Sequence, residues 1–182
     1  ESQGNPIGIA GVAWDVNIMP IRVDFTISDL LLAYQFAIDR GAHVINASFG
    51  APLYSESEQL KINELEEAGI LLVVASGNMD VSNDYVPDYP SCYPNPNIIS
   101  IGGSDQDDNM ASWAQHGAVS VDVMAPAIDV YTTEYNSGYT YASGTSMSAP
   151  LVSGVAALIK SRTPSASYTE LKGRLMAGAT NI

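Results

Sequence analysis

The chain has 182 residues, 46% of them hydrophobic and 15% charged, and its 7 Lys+Arg against 20 Asp+Glu give a formal charge of −13, figures that describe one soluble globular domain. No apolar run approaches the roughly 18 residues needed to cross a bilayer, and the few, scattered basic residues form no stripe that could neutralise a phosphate backbone. Neither a membrane nor nucleic acid is expected as a partner.

In chain order, residues 18–23 (Ile18-Met19-Pro20-Ile21-Arg22-Val23) predict a short strand, and Ser28 is placed to cap a helix carrying Leu31, Tyr34 and Ile38 on one face. Gly41 ends that helix in a left-handed conformation. Val44-Ile45-Asn46-Ala47-Ser48-Phe49-Gly50 reads as a buried strand that leaves the core at Ser48. A second, acidic helix over residues 60–68 stops at Gly69, directly before the continuous aliphatic run 70–75, which suits a parallel strand covered on both faces. Two strand-helix-strand units in succession imply an α/β sheet with right-handed crossovers.

Residues 98–101 and 119–124 predict further strands, and residues 131–141 a hairpin around Asn136-Ser137-Gly138. After Gly144 the pattern turns helical, with Val152, Val155, Ala156 and Ile159 on one face and Ser148, Ala149, Ser153, Gly154 and Ala157 keeping the rest small. A helix that can be approached closely on every side belongs in the middle of a domain. Thr163-Pro164 ends it, and Ser167-Tyr168-Thr169-Glu170 has the spacing of a capping box for a last helix.

Three segments carry chemistry. In Gly144-Thr145-Ser146-Met147-Ser148-Ala149-Pro150 a serine stands between a glycine turn and the first turn of a helix. There the Ser146 hydroxyl meets unpaired N–H groups and a dipole that favour developing negative charge. Pro150 fits a first turn, where no N–H acceptor is needed. The same pattern also arises when Ser146 or Ser148 merely caps the helix. In Val73-Val74-Ala75-Ser76-Gly77-Asn78 a strand ends in a Gly-Asn turn, which is either a simple turn or a place where the Asn78 amide donates to an oxyanion. Ser48-Phe49-Gly50 leaves its strand at the same predicted edge, as an ordinary exit or as an edge for an extended peptide.

Together these segments resemble the subtilisin-like serine proteases, in register over nearly the whole chain. The matching blocks are Gly8-Ile9-Ala10-Gly11-Val12-Ala13, the run 44–50, Val74-Ala75-Ser76-Gly77-Asn78, Tyr89-Pro90-Ser91, Val123-Met124-Ala125-Pro126 and the run 144–150. The resemblance implies a three-layer α/β/α fold with a mostly parallel sheet, truncated at the N-terminus, so that residues 1–182 form a single, incomplete peptidase domain. It implies that Ser146 is the acyl-forming nucleophile, and that Asn78 and the Ser146 N–H form the oxyanion hole. Ser48, Phe49 and Gly50 would pair with substrate backbone, while Ala75, Ser76 and Gly77 line the primary specificity pocket. Phe49 and those small residues suggest an apolar side chain there. No cofactor takes part in the chemistry. A structural calcium is implied on Gln3, Asn5, Ile7 and Ile9, where hard oxygen ligands suit that ion; a Gly-Pro-rich surface loop without an ion is the alternative.

The same mechanism needs a base and an acid to orient it. The family's Asp-[Ser/Thr]-Gly and His-Gly-Thr-x-Val-Ala-Gly motifs are both missing from these 182 residues. His43 falls on a structural position, and His116 follows Asn78 and aligns with a loop. The chain opens on Glu1 without a basic-then-apolar leader and reads as a piece of something longer, the later part of a catalytic domain; the resemblance, through the family's habit of secretion, implies an extracellular protein. Loss of the first strands would strip one face of the sheet and leave long edges open to a partner, such as an N-terminal fragment that completes the triad. Leu151, where many members carry His, and the missing Gly-Ser-Gly stretch after Val23 bear on subsite preference.

Two functions follow. One is a serine endopeptidase acting on peptide or protein substrates through an acyl-enzyme at Ser146. The other is an inactive fragment or pseudo-protease that binds peptides or serves as an interaction module. A nucleotide-binding domain is disfavoured, since no Gly-x-Gly-x-x-Gly follows a strand. Cys92, the only cysteine, excludes an internal disulfide and a Cys-based zinc site, and reads as a packed loop residue.

Overall fold

Two glycines set the geometry of the first half of the chain in the computed structural model, which describes residues 8–136 and 138–181. Helix α1 (Ile27–Asp39) ends at Gly41, φ 66°, and α2 (Glu56–Glu67) at Gly69, φ 76°. Each glycine N–H donates to the carbonyl three residues back, and the next N–H to the carbonyl five back: Gly41 to Ile38 and Ala42 to Ala37, Gly69 to Glu66 and Ile70 to Leu65. These paired bonds satisfy carbonyls that the helix leaves open, and they turn the chain directly into the next strand.

Strands β1 (Val44–Ala47), β2 (Leu71–Ala75), β3 (Ile98–Ser104) and β4 (Val123–Pro126) form one parallel sheet in the order β1-β2-β3-β4. β2 and β3 are buried along their whole length, as continuous apolar runs of a parallel sheet require. The pleat sends alternate side chains to two cores. Leu72 and Val74 meet Leu30, Tyr34, Ile62 and Leu65 of α1 and α2. Leu71, Val73 and Ala75 meet Ala149, Val152 and Ala156 of α3 (Thr145–Arg162) and Leu171 of α4 (Tyr168–Gly178). The predicted three-layer α/β/α fold is therefore present. Both faces are covered, contrary to the expectation of a stripped face, because α1 with α2 and α3 with α4 lie on opposite sides. Strands β5 (Val130–Glu134) and β6 (Gly138–Ala142) form the antiparallel hairpin expected from the sequence.

Other expectations shift. Residues 18–23 form no strand: Ile18 is 84% exposed, and among the described residues none pairs with this segment's backbone. Thr26, not Ser28, caps α1, its hydroxyl accepting from the Asp29 N–H at 3.2 Å, which rotates the buried stripe to Leu30, Tyr34 and Ala37. Helix α2 starts earlier than expected, at Ser55, whose hydroxyl accepts from the Glu58 N–H. Val119 and Ser120 turn instead of extending, because the Asp84 carboxylate gathers the N–H groups of Ala118, Val119 and Ser120 together with the Ser120 hydroxyl, and the strand starts only at Val123. Val155 is 40% exposed and α3 buries Ser148 and Ala149 instead. Ser167 does cap α4, accepting from the Glu170 N–H.

Candidate active site

The start of α3 decides what Ser146 can do. Gly144, at φ 152°, holds the N-cap position and supplies no side-chain cap. The capping alternative for Ser146 or Ser148 is thereby corrected: the Ser148 hydroxyl donates to the carbonyls of Ala125 (2.9 Å) and Pro126 (3.2 Å), and the Ser146 hydroxyl makes no hydrogen bond with the described residues. The helix is capped from outside. Asn78, three residues past β2, presents Oδ1 to the Thr145 N–H and the Thr145 hydroxyl, both at 2.9 Å.

An N–H can only donate, so the contact with Thr145 fixes the amide orientation: Oδ1 faces the helix, and Nδ2 donates to none of the described residues. Met147 N–H donates to Gly144 carbonyl, while Ser146 N–H has no acceptor among the described residues. The helix N-terminus thus offers one free backbone N–H beside one free side-chain amide, at the end where the dipole favours negative charge. Thr145 is fully buried, and its Oγ1 also accepts from the Gly77 N–H at 3.2 Å. One hydroxyl therefore holds the turn after β2 against α3. Nothing in the sequence gives Thr145 a role beyond its place as a small hydroxyl residue beside the serine.

Pro150 lies in the second turn of α3, not the first as expected. Its missing N–H leaves the carbonyl four residues back, that of Ser146, without its helical partner. The Ser48 hydroxyl fills the vacancy, donating to Ser146 O at 2.9 Å while accepting from Asn46 Nδ2 at 3.0 Å. Ser153 in turn donates to Asn46 Oδ1 at 3.2 Å. The Ser48 side chain is thus committed to holding α3. Beyond β1 the N–H groups of Ser48, Phe49 and Gly50 make no backbone hydrogen bond among the described residues, until Ala51 pairs with Tyr89.

Ala75, Ser76 and Gly77 stand at the matching exit of β2. The Ser76 hydroxyl is turned inward, donating to Gln115 O at 2.8 Å, and its carbonyl accepts from Asn83 Nδ2 at 2.9 Å. Gly77, at φ 112°, has no room for a side chain: a Cβ there would lie 1.9 Å from Gln115 Oε1. This wall is built of backbone, braced from behind by Gln115 and Asn83, whose side chains bond at 2.6 Å.

Neither histidine reaches Ser146. His116 bonds through its backbone to Val81 and Asn83, and its ring lies 3.4 Å from Ala114 O; His43 precedes β1 and accepts from the Leu71 N–H. A depression of about 740 Å³ lies elsewhere, over β3 and β4, with His116, Met124 and Met176 on its walls and neither Ser146 nor Asn78. Of the residues tied to calcium, Gln3, Asn5 and Ile7 lie outside the described residues, and Ile9 is exposed. The neighbouring segment packs on α3, where a Cβ on Gly154 would lie 2.7 Å from the Val12 Cβ.

The fold and this geometry define a parallel-sheet α/β protein that gathers its polar groups at the carboxyl ends of its strands. The chain matches the subtilase family over residues 2–182 and belongs to that family. It is 35% identical over 183 residues to an alkaline elastase YaB from Bacillus sp. (strain YaB), covering 98% of this chain and 47% of that protein. It is 35% identical to subtilisin BL from Lederbergia lenta, covering 98% of this chain and 66% of that one. A cold adapted subtilisin-like serine proteinase of known crystal structure superimposes with a TM-score of 0.78 at 26% identity, over 86% of this chain and 56% of its own. The chain therefore spans about half to two thirds of the relatives it matches.

Proposed function

We propose that this chain is the nucleophile-bearing part of a serine endopeptidase that cleaves peptide bonds in extended segments. Ser146 Oγ attacks the scissile carbonyl carbon, the carbonyl oxygen takes the negative charge, and the Ser146 N–H and Asn78 Nδ2 receive it. The observation that carries this reading is a pair of donors and a hydroxyl without partners among the described residues, at a helix start where the neighbouring Thr145 and Met147 N–H groups are both occupied. Unpaired N–H groups at Ser48, Phe49 and Gly50 support pairing with substrate backbone, and the backbone wall of Ala75, Ser76 and Gly77 supports a side-chain pocket. The base that accepts the serine proton, and the acid that orients it, come from residues outside these 182, and the protein works outside the cell. A structural calcium on Gln3, Asn5, Ile7 and Ile9 belongs to the same reading; isothermal titration with Ca²⁺ should show one site, lost in Asn5→Ala.

Fluorophosphonate labelling followed by intact mass tests the nucleophile, because the probe reports an activated serine without a good substrate. In the protein as its source makes it, one equivalent adds and Ser146→Ala removes it. Labelling that survives Ser146→Ala would refute the assignment. Absence of labelling in the parent protein would favour the second reading, a peptide-binding module, for which the lack of any histidine bonded to Ser146 is the specific observation.

A further inference from the structure

Asp88 is a carboxylate with no side-chain partner among the described residues. It is 8% exposed, and neither carboxylate oxygen makes a hydrogen bond or an ion pair with any described residue; only its backbone carbonyl is used, by the Ser91 hydroxyl and the Cys92 N–H. Burial pushes its pKa up from 3.8 to about 6, with no neighbouring charge opposing the shift. The other buried carboxylate among the described residues is accounted for, Glu58 accepting from the hydroxyls of Tyr34 and Tyr93, and the half-buried Asp122 pairs with Lys172 at 3.0 Å. A buried anion without a partner costs stability, so one retained beside a binding edge signals an absent counter-charge.

Its place is specific. Oδ2 occupies the space where a side chain on Gly50 would begin, 2.0 Å from the position of a Cβ there. The contact is held by the backbone, since Ala51 and Tyr89 exchange both N–H···O bonds at 2.8 Å, directly after Gly50 and Asp88. Ala47 is the last β1 residue paired with β2, opposite Val74, so Gly50 and Gly77 each lie three residues beyond that pair. The Ser48 hydroxyl touches Ser146 O, and Gly50 is two residues further on, about 7 Å along extended chain. The unpaired carboxylate therefore lies within a long side chain's reach of the serine, on the strand exit where substrate backbone is proposed to bind.

We propose that Asp88 is the specificity-determining residue of the substrate cleft, and that it pairs with the ammonium or guanidinium of a Lys or Arg side chain on the acyl side of the scissile bond. This inference rests on the endopeptidase reading above, and it replaces the apolar pocket expected from Phe49 and the small residues. A carboxylate at the base of a protease's primary pocket selects a basic side chain in just this way. Gly50 contributes by having no side chain, since any Cβ would displace the carboxylate.

Two measurements on the protein as its source makes it test this. Fluorogenic peptides differing only in the final acyl residue, Lys, Arg, Leu or Phe, give kcat/KM ratios for the wild type and Asp88→Asn. The Lys:Leu and Arg:Leu ratios should exceed one and fall about 10–100-fold in the variant, as expected for a lost charge-assisted contact. Leu or Phe preferred by the wild type, or ratios unchanged by Asp88→Asn, would overturn the assignment while leaving the endopeptidase reading intact. If no peptide is turned over, that reading fails, and fluorescence titration with 4-aminobenzamidine decides on Asp88 separately. Saturable binding lost in Asp88→Asn upholds the cation site; equal binding, or none, to both proteins overturns it.

Discussion

Replacing Ser48 with alanine should cost about 1–2 kcal/mol of folding stability, and almost all of the part that passes through Ser146 should vanish when Pro150 is replaced as well. The Ser48 hydroxyl donates at 2.9 Å to the one α3 carbonyl that Pro150 deprives of its helical N–H. A net hydrogen bond is worth about 0.5–1.5 kcal/mol, and a buried acceptor left alone costs about 1–3; the site is half-buried, which places the loss between these figures. Pro150→Ala returns an N–H to position 150, so the Ser146 carbonyl then has a partner without Ser48. The bond from Asn46 Nδ2 to Ser48 is lost in both backgrounds and cancels. Urea denaturation of wild type, both single variants and the double variant, with equal m-values as the check on two-state behaviour, should give a coupling energy of about 1 kcal/mol. Additivity within about 0.3 kcal/mol would refute the argument that Ser48 substitutes for the missing proline N–H.

Gly77→Ala should destabilise by about 3 kcal/mol, since φ is 112° and the new Cβ would meet Gln115 Oε1, which the bond to Asn83 prevents from swinging clear; an unchanged melting temperature would contradict this. Thr145→Val keeps the shape but strips the Gly77 N–H of its acceptor and Asn78 of one donor, so thermal melts should show a loss of about 1–3 kcal/mol. For Asp88, the folded-state pKa of about 6 lies above the ordinary 3.8, so the folded protein binds the proton more tightly and this group's contribution to stability falls as pH rises from about 4 to about 6. Wild type minus Asp88→Asn, by denaturation at pH 4 and pH 7, should therefore drop by about 2–3 kcal/mol, and a difference that rises with pH would reverse the sign of the argument. If Asn78 is an oxyanion donor, Asn78→Ala should lower turnover by about 10²–10³, the loss known for this family's own asparagine, with little change in KM.

Most of the scaffold was legible because it depends on local patterns. Gly41 and Gly69 ended helices where a left-handed residue is needed, the run at 70–75 was apolar throughout as a strand covered on both faces must be, and Ser167 capped α4 at the expected spacing. The errors have local and distant causes. Thr26 lay two residues upstream of an equally plausible cap, and the apolar character of residues 18–23 said nothing about a neighbouring strand to pair with. Val119 and Ser120 read as extended from the sequence, but the Asp84 carboxylate, more than thirty positions earlier in the chain, bends them.

By itself the sequence determined which residues can end, cap and bury the elements, and it marked Ser146, Asn78 and the strand exits through motif order. Only the tertiary structure decided that Asn78 caps α3 through Thr145 and leaves Nδ2 free, that Ser48 serves the carbonyl freed by Pro150, and that Asp88 lies unpaired against Gly50. Helix and strand signals act over a few residues along the chain. These last contacts join groups separated by 38 to 98 positions, and their hydrogen bonds and charges depend on where the packed sheet and α3 bring them together.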